Sequence, residues 1–381
     1  MSRSNKSPKI SQSTNAGGQV VTAGSIEPTS NNTAWLEELL HGIGQLHVAV
    51  MGDFFLDSHL VTDPSLAEVS LETGLAAHQV VELEHSPGAA GNVVRNLAAL
   101  GTGRISAIGF TGEDGTGWEL RRGLTELNCD LSHFHAVSEC HTPTYLKPRT
   151  LGVAGIPGEH ERYDTQNRLP TPETVIKKLC NSLDKLAPEL DVLIITDQVS
   201  VADSGVMCEP LINVVAGLSA KYPQLKIVVD SRYRLTRYRN VIAKTNEREL
   251  FHNAGLPIPS ENDVIPSQDL HRAAERLAER ISSPVIATLA ARGTFVPGTS
   301  SLILPSLQIE GPTDPTGAGD SFVSAFSLAL AAGGTLAAAV LLGNLTAATG
   351  IQQLGRTGTA SPQELRRALQ TWNVQNPDFF G

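Results

Sequence analysis

The sequence has no surplus of positive charge: 29 Lys and Arg stand against 39 Asp and Glu, a formal net charge of −10. It therefore offers no basic footprint for DNA, RNA or an anionic membrane surface, and a small metabolite is the better expected partner. Cysteine is scarce. Cys129, Cys140, Cys180 and Cys208 form no CxxC pair and no Cys/His grouping at zinc-ligand spacing, so they read as reduced, mostly buried thiols. No apolar run is long enough to cross a bilayer and the first residues lack a signal-peptide core, which makes a soluble cytoplasmic protein the expectation. Two nucleotide-binding patterns are also missing. There is no GxxxxGK[ST] phosphate loop, and the first strand leads into Met51-Gly52-Asp53-Phe54-Phe55 rather than GxGxxG, which argues against a Rossmann dehydrogenase.

What is present is a long α/β pattern. The first 34 residues are rich in Ser, Thr, Asn, Gln and Gly and read as a disordered tail, since they hold too little apolar surface to offset the entropy of ordering. From residue 35 to 381, short β-branched runs alternate with amphipathic segments, the signature of a doubly wound, mostly parallel sheet covered by helices on both faces. Strands are predicted at His47–Met51, Arg104–Ile108, Val192–Thr196, Lys226–Asp230, Val241–Lys244 and Pro284–Leu289. Helices are predicted at Asn92–Leu100, Trp118–Leu127, Pro172–Leu186, Val206–Lys221, Gln268–Ile281, Ala318–Ala331 and Ser361–Leu369. Two stretches break the alternation, near 58–86 and 140–168. They read as strands outside the main sheet, placed to act as a lid, as surface decoration or as a dimer contact.

The stretch richest in chemistry is Asp314-Pro315-Thr316-Gly317-Ala318-Gly319-Asp320-Ser321-Phe322, running into a helix of small apolar residues. Gly317, Ala318 and Gly319 would present backbone N–H groups at a helix start, where unpaired donors and the helix dipole favour an anion. The same dipole is expected to hold the Asp320 carboxylate ionised and ready to accept a proton. A Gly-rich turn whose Asp merely caps the helix would have the same letters.

This block is similar to the second signature of the PfkB, or ribokinase-like, carbohydrate kinases, and four other places resemble the family in the expected order. The resemblance implies that Asp320 is the base that activates the acceptor hydroxyl and that the Gly317–Gly319 backbone steadies the γ-phosphoryl group of ATP. Near the start, Gly52-Asp53-Phe54-Phe55-Leu56-Asp57 resembles the family's sugar-contacting segment in the form found in heptose-phosphate kinases, so Asp53 and Asp57 are candidate sugar ligands. Either could instead cap a turn. Ser86-Pro87-Gly88-Ala89-Ala90-Gly91-Asn92 resembles the first signature, which implies sugar contacts at Gly88 and Asn92. It departs from the Pro-Gly-Gly-Ala-Ala-Asn of the heptose-phosphate kinases by one displaced glycine. Asn246-Glu247-Arg248-Glu249 resembles the N-x-x-E motif, whose amide and carboxylate hold the water shell of Mg²⁺ on ATP; an ordinary helix start gives the same letters.

Thr288-Leu289-Ala290-Ala291-Arg292-Gly293 lies where the family carries T-x-G-x-x-G over the nucleotide. Ala290 replaces the first glycine, so a slightly altered backbone path is expected, with Thr288 and Gly293 as nucleotide contacts. Asn344 matches an adenine-side position, although a helix-surface Asn is the ordinary alternative. Asp314 matches a position that helps some members bind a monovalent cation such as K⁺. Lid residues Thr144, Lys147, Arg149 and Arg162 would suit a sugar that already carries a phosphate. The expected function is phosphorylation of a sugar or sugar phosphate using ATP and Mg²⁺, with a homodimer through the lid as one arrangement and no further domain expected after residue 370. The alternatives are a non-catalytic sugar- or nucleotide-binding regulator, and a nucleoside or vitamin kinase of the same fold.

Overall fold

The computed structural model describes residues 25–29, 32–153, 158–260, 263–297, 302–355 and 357–380. A central sheet is built on parallel strands in the spatial order Val285–Thr288, Ile242–Asn246, Lys226–Ser231, Val192–Asp197, His47–Gly52 and Arg104–Gly112. Two short antiparallel strands, Thr294–Val296 and Leu302–Leu304, extend one edge. Cys129–Asp130 and Phe134–Val137 pair with Arg104–Gly112 at the other.

The inner strands are apolar throughout because both faces are covered. Val48, Val50, Val192, Ile194 and Val228 point to one side, against the helices Ala34–Ile43, Ala90–Ala99, Ala318–Ala331, Leu336–Gly350 and Pro362–Gln375. Ala49, Met51, Leu193, Ile195 and Val229 point to the other, against Glu173–Leu186, Glu209–Lys221, Glu247–Ala254 and Ser267–Ile281. That alternation is the three-layer, doubly wound architecture expected of the pattern. Helices Ala318–Ala331 and Leu336–Gly350 are buried nearly all round. Gly343 lets them close, since a Cβ there would stand 2.7 Å from the Phe322 ring.

The stretches read as a lid, and so called below, form a separate sheet in the order Tyr163–Thr165, Thr144–Thr150, Phe54–Thr62, Val80–Ala89. Its central strand begins two residues after the first core strand ends, so Asp53 is the joint between the two sheets. The sequence pattern placed the start of the lid at residue 58, four residues late. Phe54, Phe55 and Leu56 are buried and read as a continuation of the core.

Part of the stretch read as tail is packed. Ile26 is buried, bridges Gly334 and exchanges backbone hydrogen bonds with Gly333 and Thr335. Residues 1–24 lie outside the described residues. All four cysteines are free, with Cys129 and Cys208 buried. Among the described residues, no helix is long and apolar enough to cross a membrane.

Candidate active site

The carboxyl ends of the parallel strands deliver Asp53, Asp197, Asp230, Lys244 and Asn246 to one edge of the sheet, where ligands bind in open α/β folds. The helix Ala318–Ala331 points its first turn at the same edge. Gly317, at φ +77°, makes the left-handed entry to that helix, and a Cβ there would stand 2.2 Å from Thr357 Cγ2. No side chain caps the helix; the Ala318 amide donates to the Pro315 carbonyl, and the rest of the first turn is where an anion would be received.

Asp320 sits in this first turn, half-buried, with the Asn92 side chain close enough to favour its charged form. The first and second signatures, 228 residues apart, therefore meet at one group. The expectation is that the helix dipole holds Asp320 ionised. Burial first, and then the nearby Asp230 carboxylate, push its pKa up to about 7, against the opposing pulls of Lys244, Asn92 and Arg232.

Asp57 lies on the lid strand with its Oδ1 3.0 Å from Lys147 Nζ. Gly88 pairs with the neighbouring Phe55, and a Cβ at Gly88 would come within 2.7 Å of Asp57 Oδ2. The glycine is thus the room this carboxylate needs. Asp53 behaves differently. Its Oδ1 accepts the Val206 amide at 2.7 Å and its Oδ2 accepts those of Gln198 and Val199 at 3.0 and 3.1 Å. Those bonds commit the buried carboxylate to holding the loop 198–206, so Asp53 is a positioning residue rather than a sugar ligand. Its pKa is raised to about 6 by burial and by Asp197.

The displaced glycine has a local cause and a local cost. Gly91 is required because a Cβ there would stand 2.4 Å from Pro87 Cβ. Ala89, where the related pattern has glycine, adopts φ +49°, ψ −117°, a conformation costly for an L residue. Ala290 repeats this, with φ +51°. The turn therefore keeps a backbone conformation suited to glycine, and carries strain instead of taking a path suited to alanine.

Asn246 and Glu249 form a reciprocal helix cap. Asn246 Oδ1 accepts the Glu249 amide at 2.9 Å, and Glu249 Oε2 accepts the Asn246 amide at 3.0 Å. Capping is not the whole of its surroundings, because Glu249 also faces Lys244 and Asp230, and burial together with Asp230 raises its pKa. Thr288 Oγ1 donates to the Thr245 carbonyl at 3.3 Å and ties two strand ends. Gly293, at φ +104°, is required by the hairpin, since a Cβ there would collide with Leu304 O at 2.0 Å.

Asn344 is corrected from a base contact to a core tie. It is buried, its Oδ1 accepts from Thr294 Oγ1 at 2.6 Å, and its Nδ2 donates to the carbonyls of Leu304 and Pro305. Each Asp314 oxygen accepts a backbone amide, from Thr316 and from Gly355, so this carboxylate braces the turn before Gly317. In the lid, Thr144 is buried and donates to the Thr142 carbonyl, and Arg149 pairs with Glu84. Arg162 forks onto Asp164 at 2.7 and 2.9 Å and stacks over Tyr145, 4.3 Å from the ring centroid.

Sequence reasoning missed Asp230, Arg232 and Lys244. Lys244 Nζ is 2.8 Å from Asp230 Oδ2, and both are buried. A signal was available: Lys244 follows Val241-Ile242-Ala243 at the end of a strand with no exposed face, where a lysine is costly without a purpose.

Residues 225–364, which carry this constellation, match the pfkB family carbohydrate kinase model. Over that stretch the chain is similar to the PfkB carbohydrate kinases. The kinase chain is 28% identical over 347 residues to the bifunctional protein HldE of Shewanella piezotolerans, covering 90% of this chain and 68% of that protein. It is 31% identical over 344 residues to the HldE protein of Hyphomonas neptunium, covering 88% of this chain and 65% of that one. The chain thus spans about two thirds of the length of these curated relatives. Its fold is similar to that of Thermotoga maritima ribokinase, with a TM-score of 0.61 at 19% identity over 85% of this chain and 99% of that one. It is also similar to Escherichia coli phosphofructokinase-2 in complex with potassium, with a TM-score of 0.65 at 18% identity over 86% of this chain and all of the other.

Proposed function

We propose that the protein transfers the γ-phosphoryl group of ATP to a hydroxyl of a sugar or sugar phosphate. Asp320 is the general base and the Gly317–Gly319 backbone is the anion hole. The observation that supports this reading is the approach of the Asn92 side chain to Asp320, which brings the sugar-side motif to the phosphate-side helix start. The acceptor hydroxyl is held between Asn92, Asp57 and Asp320. As its oxygen bonds to the γ-phosphorus, the bond from that phosphorus to the β-phosphate oxygen breaks, the electron pair leaves with ADP, and the hydroxyl proton passes to Asp320. A carboxylate whose pKa is near 7 is well matched to that step, because the transition state is loose and the proton moves late.

Mg²⁺ on the ATP phosphates would neutralise their charge, and the Asn246–Glu249 corner is where this chain would meet its water shell. The residues fit that role. Among the described residues there is no group of three or more His, Cys, Asp or Glu able to cage a metal, and Mg²⁺ bound through phosphates and water needs none.

The lid supports a substrate that already carries a phosphate. Lys147 lies beside Asp57, Arg162 covers Tyr145, and exposed Arg232 reaches both Tyr145 and Asp320 electrostatically. The distal lid also exposes Val69, Leu71, Leu75 and Leu83, an apolar surface that fits a second copy of the chain. Light scattering of the wild type and of a Leu71→Asp/Leu83→Asp variant tests that part.

The test of the main reading is ADP release from MgATP with a panel of free and phosphorylated sugars and nucleosides, for wild type and Asp320→Asn side by side. Sugar-dependent release that collapses in the variant is the expected result. Binding of sugar or ATP without turnover in the wild type would favour a regulatory binder instead.

A further inference from the structure

The anion hole has a neighbour that the reading above does not use. Lys244 and Asp230 lie near the carboxyl ends of adjacent parallel strands, directly opposite each other in register, and their side chains form a buried ion pair of 2.8 Å. The pair lies under the helix start. A Cβ added to Gly319 would stand 2.9 Å from Lys244 Nζ and 3.9 Å from Asp230 Oδ2, so the absent side chain at 319 is the gap through which the ammonium reaches the helix's first turn. Glu249 and Asp320 also act on Lys244 electrostatically. An ammonium carries three donors, and Asp230 engages one of them.

An ion pair at this depth is a poor device for stability, since well-packed apolar residues of similar volume commonly do as well or better. Its position needs another reason. A fixed cation facing an uncapped helix start is the arrangement that stabilises charge developing on a transferring phosphoryl group.

We propose that Lys244 is a further catalytic residue, its Nζ completing the anion hole at Gly319 by donating to the γ-phosphoryl oxygens of ATP, while Asp230 positions it. This rests on the kinase reading. Asp230 keeps the ammonium charged and in place when the site is empty. When ATP binds, the remaining donors meet the γ-phosphate, and the ammonium follows the charge as the phosphoryl group passes to the sugar oxygen. The interaction belongs to the γ-phosphate, so it distinguishes ATP from ADP.

The experiment compares the affinities of MgATP and MgADP by calorimetry in the full chain, for wild type, Lys244→Gln, Lys244→Arg and the double variant Lys244→Gln/Asp230→Asn. The double variant keeps a neutral hydrogen-bonded pair, so it carries the test if Lys244→Gln alone fails to fold. Expected is a loss of tenfold or more in MgATP affinity with MgADP affinity within threefold, a fall in kcat, and partial recovery of MgATP affinity in Lys244→Arg. ATP and ADP weakened equally, or neither weakened, in a variant of normal melting temperature would overturn the role of Lys244 while leaving an active wild type a kinase. A wild type that neither binds MgATP nor turns over any sugar would remove the kinase reading, and this proposal with it.

Discussion

Asp53 and Asp320 are two carboxyl groups at the same edge of the same sheet, one at the end of the first strand and one at the start of a late helix. Burial raises both, to about 6 and about 7. They differ in what their oxygens face. Asp53 is closed off by three backbone amides from the loop 198–206, whereas Asp320 meets Asn92, beside the uncapped helix start. A perturbed carboxyl group thus marks the neighbourhood of the site. Which carboxyl does chemistry is decided by whether a substrate can reach its oxygens.

The strongest way to break that contrast is Asp320→Asn. It is expected to lower kcat about 10³-fold, within the range general-base catalysis supplies, while leaving the melting temperature at pH 8 unchanged or higher. In the wild type, kcat/KM should climb with pH and level off above about 7, where Asp320 has lost its proton; a profile flat between pH 5 and 8 would remove Asp320 as the titrating base. Stability runs the other way. Both groups bind protons more tightly folded than unfolded, so their favourable contribution is fully present below the ordinary carboxylate value of about 4 and is lost as pH rises through about 6 and about 7.

The converse change, Asp53→Ala, should act on folding. Three backbone amides lose a charged acceptor, at a cost of about 3 kcal/mol in urea unfolding, with the pH profile of any remaining activity unmoved. A shifted profile would place Asp53 in the chemistry after all. Lys147→Ala sharpens the lid side. It removes the cation beside Asp57 and should raise KM for a phosphorylated sugar about tenfold, the scale of one charge-assisted contact, with a smaller change in kcat. The smallest effect is expected at Ala89→Gly and Ala290→Gly. Each relieves a left-handed alanine for a net gain of roughly 0.5 kcal/mol, the strain released less the entropy that glycine adds to the unfolded chain. Unchanged melting curves would mean that neither turn is strained.

The core and the Gly-rich block from Asp314 to Phe322 were legible locally. The helix Ala318–Ala331 has the bounds its sequence predicts, because a Gly-rich turn followed by small apolar residues has few alternatives. The parallel strands were found to within one to four residues at their ends, since a strand buried on both faces is apolar throughout. The lid strand Phe54–Thr62 was missed over its first four residues because its buried start continues the run of the core strand, and a change of sheet leaves no mark in hydrophobicity. Asn344 misled for the related reason that a buried amide and a ligand-binding amide are the same letter.

The sequence alone determined the architecture, the Gly-rich helix start and the place of Asp320 in its first turn, because each is written in a contiguous pattern whose physics is local. The tertiary structure decided the rest. It committed the Asp53 carboxylate to the loop 198–206 and left Asp57 beside Lys147, and it set Lys244 against Gly319 from a strand 75 residues away. Solvent exposure, the spending of hydrogen bonds and the proximity of charges depend on which segments pack together, and no short stretch of chain specifies that by itself.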